Sequence, residues 1–287
     1  MSGVTSPLAL ARTFLFVPGD RPERYARALA SGADAVIVDL EDAVAPERKD
    51  AARTQIAEGF AALSNDAHGR LLVRVNACDT PWHADDRALV ARLAAQGLLP
   101  GVVLPKAERA NDLEALAQAV GPATALLPLI ESVAGLDAVD ALAVSPQVLR
   151  LVFGHLDFQA DAGMACGPDE AELVPVRLAL VLASRRAGLA PPVDGITADW
   201  RDAVRLTAEA SRARRGGFGA KLCIHPEQIA GVAAAFTPSA DELAWARRVR
   251  DAVHAAGGGV VNVDGRMVDG PVVKLAERLL AQEVRTG

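Results

Sequence analysis

Eight short apolar runs alternate with segments of helical periodicity between residues 13 and 224, and this alternation restricts the fold more than any other feature of the chain. The runs cover residues 13–17, 35–40, 71–75, 101–104, 125–130, 149–153, 192–196 and 220–224. Several are apolar throughout, as strands covered on both faces must be. Between them lie Ala-, Leu-, Arg- and Glu-rich stretches with helical spacing, at 23–30, 47–63, 84–95, 111–120, 170–186 and 200–215. Strand–helix alternation with right-handed crossovers gives a parallel sheet. Eight such units close into a (β/α)8 barrel, and a doubly wound open sheet is the competing arrangement. The 287 residues slightly exceed the roughly 250 that a barrel takes. We therefore expect a barrel domain over residues 1–236 and a C-terminal extension over 237–287. In the extension, segments 239–256 and 260–268 precede a last helix from Pro271, with Asp264 and Gly265 at a hairpin tip.

Local signals support this register. Gly32 and the pair Gly216 and Gly217 read as helix stops, the second after the basic turn Arg212, Arg214, Arg215. Asp199, ahead of Trp200, reads as the cap of the seventh helix.

Composition narrows the class. A hydrophobic fraction of 51% supplies a large core, yet no run approaches the ~18 uninterrupted apolar residues of a membrane helix. Residues 1–12 lack a charged start followed by an apolar stretch, so we expect no secretory leader and no membrane partner. A net charge of −6 argues against nucleic acid as a partner, while leaving room for a local basic patch. The cysteines, Cys78, Cys166 and Cys223, are few and widely spaced; this fits a reducing, cytoplasmic setting and excludes a cysteine zinc site.

Barrel enzymes gather their chemistry at the C-terminal ends of the strands. The residues closing the runs are Pro18, Gly19 and Asp20; Asp39, Glu41 and Asp42; Arg74 and Asn76; Lys106; Glu131; Asp157; Asp194; and His225. Strand ends are generally polar, so solvated caps are one reading of any single position. The set suggests another. Glu131 and Asp157 follow neighbouring strands, so their carboxylates can converge, and Arg74 can face them across the mouth. Two acids held close raise each other's pKa unless a cation sits between them. Magnesium suits such a pair, because it takes one or two carboxylates and leaves its other positions to water and substrate. The five histidines show no zinc-binding spacing. His155 reads as structural or as a contact to the site, and His225 as a strand-end residue or a base.

Eight motifs then occur in order: residues 14–20 (FLFVPGD), 32–44 (GADAVIVDLEDAV), 73–76 (VRVN), 104–106 (LPK), 128–131 (PLIE), 153–157 (FGHLD), 224–226 (IHP) and 264–269 (DGRMVD). From residue 13 to about residue 280 the chain resembles the citrate lyase β-subunit-like branch of the HpcH/HpaI aldolase superfamily, which includes malyl-CoA and citramalyl-CoA lyases. The resemblance implies a carbon–carbon lyase that cleaves or forms a β-hydroxyacyl thioester, giving an acyl thioester and a keto acid. It implies a magnesium ion held by Glu131 and Asp157, and Arg74 on the reacting carboxylate or carbonyl oxygen. It also implies Asp269 as an acid/base delivered by a neighbouring subunit of a homotrimer; read alone, Asp269 is a turn residue. Coenzyme A, as part of the thioester, would meet Phe16, Arg24 and Arg27 after the first strand, where the two arginines otherwise read as a solvated helix face. Asp42 joins the substrate-binding set. An acyl carrier protein in place of coenzyme A, a thioesterase or malate-synthase-like reaction, and a non-catalytic binding barrel are the alternatives. Two positions depart from the family pattern: His155 stands where many relatives carry a small or polar residue, and residues 193–197 (VDGIT) lack an expected tyrosine.

Overall fold

The computed structural model describes residues 6–257 and 259–283, so the first five residues of the expected leaderless start lie outside the described part. Contacts divide the chain into two compact units, Met1–Ala233 and Ala234–Gly287.

The first unit is the closed barrel. Its eight strands are β1 (Thr13–Pro18), β2 (Ala35–Asp39), β3 (Leu71–Arg74), β4 (Gly101–Leu104), β5 (Ala125–Ile130), β6 (Val152–Phe153), β7 (Val193–Asp194) and β8 (Ala220–Cys223). Each pairs in parallel with the next, and β8 returns to β1 through Thr13↔Lys221, Phe14↔Leu222 and Leu15↔Cys223. The open-sheet alternative is thereby removed. Strands β6 and β7 are shorter than their apolar runs, because pairing holds only at Val152, Phe153, Val193 and Asp194.

The helices, in chain order, are α1 (Pro7–Leu10), α2 (Tyr25–Ala30), α3 (Lys49–Ala61), α4 (Asn65–His68), α5 (His83–Ala95), α6 (Ala110–Val120), α7 (Val133–Asp137), α8 (Val139–Ala143), α9 (His155–Asp161), α10 (Val174–Arg186), α11 (Ala203–Gly216), α12 (Gln228–Phe236), α13 (Ala240–Ala255) and α14 (Gly270–Glu283). None is long and apolar enough to cross a membrane among the described residues. Gly217, at φ +99°, ends α11 in the left-handed conformation that glycine adopts most readily. The cap at the other end of α11 corrects the sequence reading. Asp202, not Asp199, caps it, accepting from the Arg205 amide at 2.9 Å. Asp199 instead accepts from the Arg201 amide, closing a turn before the helix, and Trp200 leaves helical phase to stack on His225 at 3.8 Å between ring centroids.

The barrel interior is filled from alternate positions: Phe14, Ala35 and Ile37, Leu72, Val103, Leu127 and Leu129, Val152, Val193, Ala220 and Leu222. Leu8 of α1 and Ala11 close its N-terminal end. Arg150, 1% exposed, ties that plug down. Its Nη1 donates to the Ala11 carbonyl at 2.6 Å and the Leu8 carbonyl at 3.2 Å, and its Nε to the Pro191 carbonyl at 2.7 Å. Its guanidinium lies 5.4 Å from the Phe14 ring centroid. Burial pushes the Arg150 pKa down to about 9, which leaves it charged at neutral pH.

The second unit has a core of its own, from Ala246 and Val249 of α13, Val263 and Val268, and Ala276 and Leu279 of α14. Val263 and Val268 come from a hairpin, β9 (Val261–Val263) and β10 (Arg266–Val268), that turns at Asp264 and Gly265. Ser239 and Glu242 form a reciprocal capping box at the start of α13.

Candidate active site

Strand geometry explains which side chains reach the barrel mouth. Side chains alternate with period two, so the interior positions Phe14, Ile37, Leu72 and Leu129 are followed on the same face by Phe16, Asp39, Arg74 and Glu131. All four line one cavity of about 370 Å³ at the C-terminal end of the barrel. Asp42, from the loop after β2, and His155 and Asp157, from the first turn of α9, line it too. The sequence-derived set of Phe16, Asp42, Arg74, Glu131 and Asp157 is thus brought to one place.

Arg74 is held rigidly there. Its Nε and Nη2 donate to the two oxygens of Asp39, each at 2.7 Å, in a two-pronged pair. Nη1 lies 2.7 Å from Glu41 Oε2, without hydrogen-bond alignment, and 3.3 Å from Asp42. The guanidinium also sits 4.8 Å over the Phe16 ring. Burial works against the charge of Arg74, but the surrounding carboxylates outweigh it and raise its pKa. Glu41 responds differently. Burial pushes its carboxyl up to about 8; Arg74 opposes this, and Glu131, Asp42 and Asp39 add to it. Asp39 had no role assigned from the sequence. The period-two pattern was the signal that singles it out, since it continues the inward face of β2.

Glu131 is buried and pinned from two sides. Its Oε1 accepts from the Lys106 amide at 2.8 Å. Lys106 adopts φ +44°, a left-handed conformation unusual for a residue with a side chain, and this aims its N–H at the carboxylate. On the other side Gly154 leaves room: a Cβ at that position would lie 2.5 Å from Glu131 Oε2. Burial pushes the Glu131 carboxyl up to about 7; the Lys106 amide and Arg74 oppose this, and Asp157 adds to it. Asp157 lies on the first turn of α9.

The cavity lining holds four carboxylates, Asp39, Asp42, Glu131 and Asp157, against one guanidinium, Arg74. Arg74 is engaged by the β2-end acids. Glu131 and Asp157 therefore face the same space with no ion pair of their own among the described residues. Among those residues no three or more His, Cys, Asp or Glu side chains form a complete metal cage. Two carboxylates with open space beside them fit magnesium, which keeps waters and substrate oxygens in its remaining positions.

Other sequence candidates are not among the residues that line this cavity. Arg24 and Arg27 are exposed at the start of α2 and outside the cavity lining. Asp269 belongs to the second unit, where it accepts from the Val272 amide at 3.4 Å at the head of α14. His225 stacks on Trp200, and its Nδ1 accepts from the Glu227 amide at 3.3 Å.

Comparison with known proteins agrees with this architecture. Residues 12–226 match the family model for HpcH/HpaI aldolase/citrate lyase. A citrate lyase subunit beta-like protein of Deinococcus radiodurans is 34% identical, over 98% of this chain and 100% of its own length. A (3S)-malyl-CoA thioesterase of Cereibacter sphaeroides is 34% identical over 94% of each chain. The CitE protein of Mycobacterium tuberculosis, solved in complex with magnesium, acetoacetate and coenzyme A, aligns with TM-score 0.81 and 35% identity, over 96% of this chain and 98% of that one. The eight-stranded closed barrel, the ordered motifs along it and these matches lead to one statement: the chain belongs to the HpcH/HpaI aldolase/citrate lyase family.

Proposed function

We propose that this protein is a magnesium-dependent carbon–carbon lyase that cleaves or forms a β-hydroxyacyl thioester of the malyl, citramalyl or citryl type, with an acyl thioester and a keto acid as the other side of the reaction. The observation that carries this reading is the pair Glu131 and Asp157, two acids with no ion pair of their own among the described residues, facing the cavity that Arg74 also lines. The coenzyme A and magnesium bound by the CitE relative support it.

In this reading Glu131 and Asp157 hold the cation, which when bound supplies Lewis-acid polarisation of the substrate's oxygens. Cleavage requires that the β-hydroxyl lose a proton, that the bond between its carbon and the α-carbon break, and that the electron pair pass to the thioester enolate. The α-carbon then takes up a proton. Arg74, fixed by Asp39, offsets the negative charge that develops on the acid portion. Asp42, at the open side of Arg74, shapes the entry for that portion. Phe16, Leu129, Phe153 and Ile196 give the cavity an apolar wall that keeps water from the enolate. Arg24 and Arg27, exposed next to β1, suit the phosphates of coenzyme A. Asp269, carried by the C-terminal unit of a neighbouring subunit in a homotrimer, moves the proton at the α-carbon.

The decisive experiment incubates purified protein with magnesium and malyl-, citramalyl- or citryl-CoA. The expected product is a keto acid together with a shorter acyl-CoA. Release of free coenzyme A with the hydroxy acid intact would instead favour hydrolysis, the second reading, which rests on the similarity to (3S)-malyl-CoA thioesterase. Turnover confined to a thioester on an acyl carrier protein would assign the chain to a citrate lyase assembly.

A pH dependence follows from the raised carboxyls. Their folded pKa values, about 7 for Glu131 and about 8 for Glu41, exceed the ordinary carboxylate value. Such groups contribute stability below their unfolded pKa, and that contribution is lost as pH rises through the folded pKa. Metal-free protein should therefore show a falling Tm between about pH 5 and pH 8 from this source. Magnesium, which binds the ionised form, should raise Tm more at pH 8 than at pH 6. Thermal scans with and without chelator check this, and an equal magnesium shift at both pH values would contradict it.

A further inference from the structure

Asp157 sits on a helix that cannot hold itself. α9 has seven residues, far short of the length at which an isolated helix is stable in water. Its N-cap, Gly154, offers no side-chain cap. Two of its side chains are buried, His155 and Phe158, and they flank the exposed pair Leu156 and Asp157. Phe158 packs edge-on against Phe153, with 5.9 Å between centroids. His155, 4% exposed, fits against Gly195 so closely that a Cβ there would collide with its Nδ1. Its Nε2 faces Glu170 Oε1 at 3.4 Å.

Glu170 is an unusual partner. It is 3% exposed and adopts φ +50°, a left-handed conformation that costs a non-glycine residue energy unless the surroundings impose it. Those surroundings include three arginines, Arg177, Arg212 and, more distantly, Arg205. Arg177 of α10 donates to Glu170 Oε2 at 2.6 Å, and Arg212 of α11 to the same oxygen at 2.8 Å. Arg177 is itself locked by Asp194 at the end of β7, at 3.0 Å. Arg212 also donates to the Asp169 carbonyl at 2.5 Å. One carboxylate oxygen is thus fastened to two helices and, through Arg177, to the barrel wall. The other faces His155 at 3.4 Å, with Arg205 Nη2 farther off at 3.9 Å.

We propose that Glu170 is a positioning residue for the metal site: through His155 it fixes the rotation of the first turn of α9, and with it the direction of the Asp157 carboxylate. This rests on the reading of Asp157 as a holder of the cation. Glu170 touches neither substrate nor ion. It fixes one of the two buried side chains that anchor the α9 turn, the other being Phe158. Loss of the link frees the turn to rock about Phe158 and spreads the Asp157 oxygens over several directions, weakening the ion without removing a ligand.

The test is the magnesium dissociation constant of the purified full-length protein, measured by calorimetry, beside its Tm. Asp157→Asn should abolish binding. Glu170→Gln and His155→Phe should each weaken it about tenfold, the lower end of what outer-sphere partners of metal ligands contribute. His155→Phe keeps an aromatic ring at that position and leaves Glu170 on its arginines, so it decides the matter should Glu170→Gln fail to fold. Wild-type affinity in His155→Phe, with binding lost in Asp157→Asn, overturns the positioning role and spares the metal assignment. Wild-type affinity in Asp157→Asn overturns the metal assignment and the inference with it.

Discussion

Glu131→Gln is expected to lower magnesium-dependent turnover on the order of 10³-fold or more while leaving the barrel folded. The size follows from the role. A cation at this position supplies several kcal/mol of stabilisation to developing charge, and each ~1.4 kcal/mol is a factor of ten in rate. A neutral amide is a far weaker ligand than a carboxylate. The fold survives because glutamine keeps the volume and an oxygen for the Lys106 amide, which donates to Oε1 at 2.8 Å. Above neutral pH the metal-free variant should even gain stability. The native carboxyl, with its pKa raised to about 7, is ionised there at the cost of burial, and glutamine carries no such charge. Keto acid release at saturating magnesium and Tm at pH 8 are the two measurements. Turnover within tenfold of the wild type would remove Glu131 from the chemistry.

Arg150→Ala is expected to have the largest effect on stability, at the opposite end of the barrel. The wild-type side chain satisfies the carbonyls of Leu8, Ala11 and Pro191, and it is 1% exposed. Alanine leaves acceptors unpaired at ~1–3 kcal/mol each and opens a cavity under Phe14. Release of the buried charge from its desolvation cost offsets part of this. The net loss should be about 4 kcal/mol, which for a chain of this size lowers Tm by roughly 8–15 °C. Magnesium affinity should stay near the wild-type value, because Arg150 contacts nothing at the mouth. A Tm within 3 °C of wild type, an order-of-magnitude threshold of ~1 kcal/mol, would mean that water replaces the guanidinium at little cost.

Much of this molecule is legible in its sequence because barrel strands advertise themselves. Runs such as 35–40 and 71–75 are apolar on both faces except for the single charged residues Asp39 and Arg74 near their ends, and the β2, β3 and β5 boundaries fall within a residue of runs 35–40, 71–75 and 125–130. Glu131 and Arg74 were legible for the same reason: each ends an apolar run on its inward phase. What the sequence conceals depends on pairing at a distance. The partnership of Arg74 with Asp39 joins residues 35 positions apart. The tie between His155 and Glu170 depends on a nine-residue excursion, 162–170, with no hydrophobic period to announce its path. Short helices such as α7 and α9 escape notice because five or seven residues give too few turns for periodicity to register. Asp199 misled for a related reason: a good capping residue precedes an aromatic that has a better use in stacking on His225 than in a helix.

The grip on Glu131 consists of a main-chain N–H from position 106 and the bare Cα of position 154. Neither is a side-chain group. The orientation of this acid is therefore written into the path of the backbone, and the side chain at 106 can differ where the new residue keeps the amide hydrogen and tolerates the left-handed φ of +44°. Aligning such proteins by residue identity would register the glycine at 154 and overlook the amide at 106, which aims the carboxylate whatever tolerated side chain it carries.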